Sequence, residues 1–258
     1  MYSLPSFLCP LLLAAAVPHA SGLALPQSPA KSSSPGMSPR ADPSTMPRPQ
    51  LGSLPYGVDI TTCNLPNMVP ATFFIVGSNG NGLITDESTG MPATLRRMHA
   101  AGHHIGSHTF THADLMTLTT EQRRAEVENN EAAIAQVLGF VPTYLRPPYT
   151  SCDAGCMADL GSFGYHVADY NVDTLDWQGD YDRSRQIFSS ALSGADPKTA
   201  SFISLEHDIH ERTVNELAQY LIDTARGLGY QLVTMGACLG DPVENWYRNP
   251  TTGQSWKS

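Results

Sequence analysis

Four short motifs hold the residues that could do chemistry: S-H-T-F-T-H at 107–112, R-P-P-Y at 146–149, D-T-L-D-W at 173–177 and L-E-H-D at 205–208. His108 and His112 stand four apart. That spacing lets two imidazoles face one metal ion from a helical or tight-turn backbone. Taken alone, such a pair is more often incidental. Arg146 and Tyr149 flank two prolines, which stiffen the loop and fix where both side chains point. A rigid turn with a surface arginine is the bland alternative. Asp176 stands beside Trp177. A carboxylate can hold a histidine protonated, and an indole offers a flat wall to a sugar or acetyl group. A buried Trp with a solvated acid accounts for the pair equally well. His207 follows an apolar run and is a candidate proton donor. A satisfied histidine at a strand end is the commoner reading of a lone His. His99, His103 and His104 read as structural or exposed, and Asp208 and His210 as structural.

The elements that must position these motifs alternate strand with helix. Residues 71–77 (A-T-F-F-I-V-G) form a continuous apolar run, as in a buried parallel strand. Residues 91–101 read as a helix closed by Gly102, and 104–107 as a strand. The clearest helix is 119–138. Thr119 and Gln122 can form a capping box, Val127, Ile134 and Leu138 share a face, and Gly139 stops it. Further strands are expected at 144–146, 165–169, 201–205 and 230–234, with helices at 156–163, 181–192 and 212–228. Repeated βα units imply a parallel α/β sheet, open or closed into a barrel. In such barrels chemistry gathers at the C-terminal ends of strands, where the four motifs fall.

The chain has 258 residues and a formal net charge of −9, which argues against a phosphate-backbone partner. Residues 7–17 are apolar and precede small residues suited to cleavage after Ala20 or Ala24, so 1–24 reads as a secretory signal. That run is too short to span a membrane. Residues 25–52 are rich in Ser, Pro and Ala and are expected to be a disordered linker. A catalytic domain is expected at 53–241 and a polar tail at 242–258. Of five cysteines, removal of Cys9 leaves Cys63, Cys152, Cys156 and Cys238, an even number suited to an oxidising compartment. Cys152 and Cys156 could close a small loop; a metal site there lacks a second Cys or His pair at suitable spacing.

In this order the motifs resemble the NodB-type polysaccharide deacetylases (carbohydrate esterase family 4), and within them the secreted fungal chitin deacetylases. The resemblance is collinear from about Tyr56 to Asp241. It implies a distorted (β/α) barrel. It implies hydrolysis of N-acetyl groups of chitin or chitooligosaccharides, giving chitosan and acetate, and an extracellular or cell-wall location. It makes His108 and His112 ligands of a divalent ion, zinc first and cobalt second. Arg146 would orient a catalytic Asp, and the Tyr149 backbone N–H would help bind the oxyanion. His207 would be the general acid, tuned by Asp176. Leu205 would line the acetyl-methyl pocket, with Pro147 and Trp177 against substrate. It favours the disulfides Cys152–Cys156 and Cys63–Cys238. A monomer is expected.

The family's catalytic base and one metal ligand sit on an Asp-Asp motif, and this chain has no Asp-Asp. The motif belongs between a Cys like Cys63 and a strand like 71–77, where N-L-P-N-M-V-P alone intervenes. One βα unit, about two dozen residues, is missing at that seam. Asp59 and Asp86 are the nearest candidates to replace it, and neither carries the motif. Residues 56–62 are the candidate strand for the gap. Two rival functions follow: a non-catalytic chitin-binding pseudoenzyme, and an esterase on O-acetylated glycans such as xylan.

Overall fold

Short apolar runs and capped helices alternate along the computed structural model, which describes residues 42–57, 59–60 and 71–257, within the unit Pro39–Ser258. The chain opens with β1 (Asp59–Ile60), β2 (Thr72–Ile75), a hairpin of β3 (Ser78–Asn79) and β4 (Gly82–Leu83), α1 (Met91–Ala100) and β5 (His104–Ser107). It continues through α2 (Thr120–Leu138), β6 (Val141–Pro142), β7 (Tyr144–Leu145), α3 (Ala154–Ser162), β8 (His166–Ala168), β9 (Val172–Asp173) and α4 (Tyr181–Ser193). β10 (Ser204–Leu205) follows, then a π-helical turn at Thr213–Leu217 that runs into α5 (Ala218–Gly227), α6 (Met235–Cys238) and β11 (Tyr247–Arg248).

Helix α2 forms where its caps dictate. The Thr119 hydroxyl accepts from the Gln122 N–H at 3.3 Å, and the Gln122 side chain accepts from the Thr119 N–H at 2.9 Å. Gly139 ends it in the left-handed region at φ 83°, which glycine adopts without steric cost. The main sheet has the order β1-β8-β7-β5-β2 and is parallel throughout, while β9 and β10 pair in a second parallel ladder. Central strands β5, β7 and β8 are fully buried. All four residues of β2 and both of β10 are only half-buried.

Four expectations need correction. The part of 56–62 that the structure describes as a strand, β1, does not lie beside β2: it pairs with β8 at the opposite edge of the sheet. Residues 230–234 carry no strand ladder: they precede α6 without a partner strand among the described residues, and an extended run without a neighbour has nothing to pair with.

The segment 42–52, expected to end a disordered linker, is packed. Pro43, Met46 and Leu51 are buried. The Arg48 guanidinium forks onto Glu131, donating at 2.6 Å to each carboxylate oxygen. Such a bidentate pair holds geometry that composition does not reveal. The expected tail 242–258 is also part of the fold. Trp246 stacks on His104 with centroids 4.4 Å apart, the Tyr247 hydroxyl accepts from the Ile105 N–H, and Arg248, fully buried, donates to the Gly164 carbonyl at 2.6 Å.

Cys152 and Cys156 form a disulfide across the first turn of α3, where Asp153 caps by accepting from the Cys156 N–H at 2.8 Å. Cys238 is also disulfide-bonded; its expected partner, Cys63, lies outside the described residues, as do the expected signal segment and most of the linker. Closing so small a loop is worth about 2 kcal/mol in the chain-entropy account. The double variant Cys152→Ser/Cys156→Ser is expected to lose about that much stability in denaturant unfolding. A loss below about 0.5 kcal/mol would assign the order of this loop to the Asp153 cap instead.

Candidate active site

The S-H-T-F-T-H loop starts where β5 ends. The His108 N–H donates to the Ile75 carbonyl at 2.8 Å, tying the loop to the end of β2. From α2, Glu126 accepts from the N–H groups of Phe110 and Thr111 and from the Thr111 hydroxyl. Asn130 donates to Ser107 Oγ and to the Ile75 carbonyl, both at 2.8 Å. These clamps hold Thr109 and His112 at φ 67° and 60°, a backbone region costly for residues with a Cβ. The rings of His108 and His112 come together, centroids 4.8 Å apart. His108 Nδ1 lies 2.6 Å from the Arg146 carbonyl. A carbonyl only accepts, so Nδ1 carries the proton and Nε2 keeps its lone pair. Burial pushes the His108 pKa down to about 3 against that hydrogen bond, so the ring stays neutral.

The R-P-P-Y loop leaves β7. The Arg146 N–H donates to the Ser107 carbonyl, which sets it beside the histidines. Its guanidinium lies over the Phe74 ring at 4.5 Å, and its Nε is buried with no partner among the described residues. Burial lowers the Arg146 pKa to about 10, with Asp169 and Glu206 opposing. Tyr149 sits at φ 59° and packs its ring edge on His112 at 4.7 Å, while remaining 69% exposed.

The last two motifs meet through a hydrogen-bonded dyad. Asp176, with no exposed surface, accepts three bonds: from the His207 N–H at 2.7 Å, from His207 Nδ1 at 2.8 Å and from the Thr213 hydroxyl at 2.8 Å. Burial pushes the Asp176 carboxyl up, but the bonds from His207 and Thr213 outweigh it and hold the pKa below the ordinary value. The bond to Asp176 raises the His207 pKa against its own burial. The shift favours the protonated ring, the state a proton donor needs, on a side chain that is 35% exposed. Leu175, just before the dyad, is also strained at φ 55°. Every described non-glycine residue at positive φ lies in or directly after one of these motifs, and such strain collects at functional sites.

One cavity of about 970 Å³ gathers His108, His112, Arg146, Leu205 and His207. Asp176 stands behind His207, and Tyr149 touches His112 from the rim side. Pro147 is buried and, like the 53% exposed Trp177, does not line the cavity. Asp86 is not at the site. It is exposed and caps the turn Glu87–Thr89. Asp59 lies on β1, at the far edge of the sheet.

Sequence reasoning missed two participants. Thr213, the third donor to Asp176, carries no signal in its surroundings. Glu206 is visible in L-E-H-D. It lines the cavity with one buried oxygen that has no partner among the described residues, and burial raises its pKa to about 7. Asp208, expected to be structural, lines the same cavity and is exposed.

His108 and His112 suit a divalent ion, but a catalytic zinc takes three protein ligands and a water. Among the described residues no third His, Cys, Asp or Glu forms a metal-holding group with them. The donors present fit part of a metal centre and not the whole.

Residues 66–168 match the profile of the family described as polysaccharide deacetylase. A chitin deacetylase of Colletotrichum lindemuthianum is 47% identical over 186 residues, 70% of this chain and 73% of the relative. A chitin deacetylase of a Pestalotiopsis species is 38% identical over 221 residues, 76% of this chain and 72% of the relative. The solved structure of the Colletotrichum lindemuthianum chitin deacetylase is similar at a TM-score of 0.71 and 39% identity, over 76% of this chain and 97% of that one. The fold is thus the distorted barrel that the motifs implied, and the chain belongs to the polysaccharide deacetylase family.

Proposed function

We propose that this chain is a secreted protein that binds chitin or chitooligosaccharides, keeps the proton-donating half of a deacetylase and, by itself, hydrolyses their N-acetyl groups poorly. The dyad carries this reading. The Asp176 carboxylate orients His207 through Nδ1, so the other ring nitrogen can donate a proton to a departing amine. Leu205 supplies an apolar wall for the acetyl methyl in the same cavity. The opposite half is incomplete among the described residues: His108 and His112 would hold a divalent ion, zinc first, without a third ligand there. The carboxylates that line the cavity, Glu206 and Asp208, flank His207 in the chain and so lie on the proton-donor side. Secretion is supported by the Cys152–Cys156 bond, which suits an oxidising compartment. The protein acts as a monomer in this reading.

The test is a pair of measurements on one preparation with chitin oligomers. Saturable binding by calorimetry with little acetate release supports the proposal. Absence of binding, or stronger binding and release on acetylxylan, overturns the substrate assignment.

A further inference from the structure

The Asp176 carboxylate grips one loop by both ends. Its Oδ2 accepts from the His207 N–H at 2.7 Å and from the Thr213 hydroxyl at 2.8 Å, and its Oδ1 accepts from His207 Nδ1 at 2.8 Å. The loop between these anchors carries the exposed Asp208 and Ile209 to the wall of the large cavity. Thr213 itself is buried, with 3% of its surface exposed. A carboxylate turns about its Cβ–Cγ bond in a broad, shallow well, so its hydrogen bonds set its plane. Two donors on Oδ2 leave Oδ1 facing Nδ1.

The backbone at Thr213 is fixed from both sides. Thr213 opens the π-helical turn Thr213–Leu217, and such turns are rare and gather at functional sites. Arg212 forks onto Glu216, donating from Nε at 3.0 Å and from Nη2 at 2.9 Å, and lies over the Tyr181 ring at 4.4 Å. The Val214 N–H donates to the His210 carbonyl at 3.2 Å, and Leu217 is fully buried. A threonine hydroxyl in a helix commonly bonds back to a carbonyl three or four residues earlier. A hydroxyl has one proton to give, and that of Thr213 goes to Asp176, 37 positions away.

We propose that Thr213 is a positioning residue for the proton donor: its hydroxyl pins Asp176 Oδ2, so that Oδ1 holds His207 by Nδ1 and the other ring nitrogen is left to the cavity. Thr213 acts through the carboxylate. Without the hydroxyl, Asp176 keeps two of its three bonds at a place with no exposed surface. Valine, of the same shape, leaves no room for a water to supply the third. The loss disfavours the ionised carboxylate and, with it, the imidazolium it supports, so the His207 titration midpoint falls. The other groups that act on His207 or feel its charge are Asp173, Arg146, Glu206, His108 and His112, with the His210 ring 6.1 Å away. Thr213 is neutral, so its replacement alters none of them. The inference rests on the proposed role of His207 as proton donor, while the pinning of Asp176 stands on hydrogen bonds alone.

The test compares two variants of the full chain by NMR. Thr213→Val keeps the side chain's shape and loses its hydroxyl, and Thr213→Ser keeps the hydroxyl and loses a methyl group. The His207 Nδ1 proton, bonded to Asp176, should give a separate downfield signal in wild type and in Thr213→Ser. In Thr213→Val that proton should exchange with water at least about tenfold faster, and the His207 titration midpoint should fall. A packing role would be served better by valine than by serine. Thr213→Val indistinguishable from wild type, or Thr213→Ser altered as far as Thr213→Val, therefore overturns the proposal. In wild type the Thr213 hydroxyl proton should exchange slowly and show a cross-peak to the His207 N–H; its absence overturns the proposal even where Thr213→Val does not fold. Chitin oligomers separate this proposal from the proposed function. A kcat for residual acetate release about tenfold lower in Thr213→Val at unchanged KM supports both. An unchanged kcat beside a lost Nδ1 signal overturns the positioning role. The expected NMR differences in a chain that does not bind the oligomers overturn the proposed function and leave the pinning of Asp176 standing.

Discussion

Acetate release from chitin oligomers by this chain is expected to run at least ~10³-fold below that of the Colletotrichum lindemuthianum relative assayed beside it, with oligomer binding retained. A positioned general base contributes roughly 10²–10⁴-fold. An ion held by two imidazoles instead of three ligands is bound more weakly, and less of the protein carries it at a given concentration. Either deficit alone gives about 10²-fold, and both act on the same step, the generation of the nucleophile. The Asp176–His207 dyad acts on the later step and cannot offset them. Release within about tenfold of the relative would show that a carboxylate does reach the metal pair. Glu206→Gln then decides whether it is Glu206, the carboxyl in the cavity wall whose pKa burial raises to about 7. Activity lost in that variant with unchanged oligomer binding would assign it the base's role.

The legible parts of this site are those fixed by local geometry. H-x3-H, R-P-P-Y, D-T-L-D-W and L-E-H-D each lie at a strand end or in the loop that follows, so reading the strands placed three motifs around one cavity and the D-T-L-D-W motif behind His207. The α2 caps were equally readable, because a capping box is satisfied within four residues. What escaped depends on contacts distant in sequence. Thr213 reaches Asp176 across 37 positions, and Arg48 reaches Glu131 across 83. The segment 42–52 has a linker's composition, yet one guanidinium fork and three buried side chains dock it. Residues 230–234 have a strand's composition, yet a strand exists only where a neighbour offers its edge.

Asp176→Asn should lower folding stability by about 2–4 kcal/mol and abolish the upward shift of the His207 pKa. The carboxylate accepts three bonds with no exposed surface, and bonds to a charged acceptor are worth about 1.5–3 kcal/mol each before the remaining amide oxygen recovers some of them. The pH dependence distinguishes this dyad from mere packing. Asp176 titrates below its unfolded value when folded, so its contribution is present above about pH 4 and is lost as pH falls through the folded pKa. His207 titrates above its unfolded value, so its contribution is complete below about pH 6.5 and is lost as pH rises through the folded pKa. The stability difference between wild type and variant should therefore be largest near pH 5 and shrink by about pH 8. Both proteins share His104, His108 and His166, whose burial lowers their pKa values, so those contributions cancel in the comparison. Denaturant unfolding at the two pH values gives the difference, and the His207 ring signals in an NMR titration give the pKa. A difference independent of pH, with the His207 titration unmoved, would reduce Asp176 to a buried hydrogen-bond hub. Convergence of the two readouts would establish that Asp176 and His207 act as a proton-donating dyad.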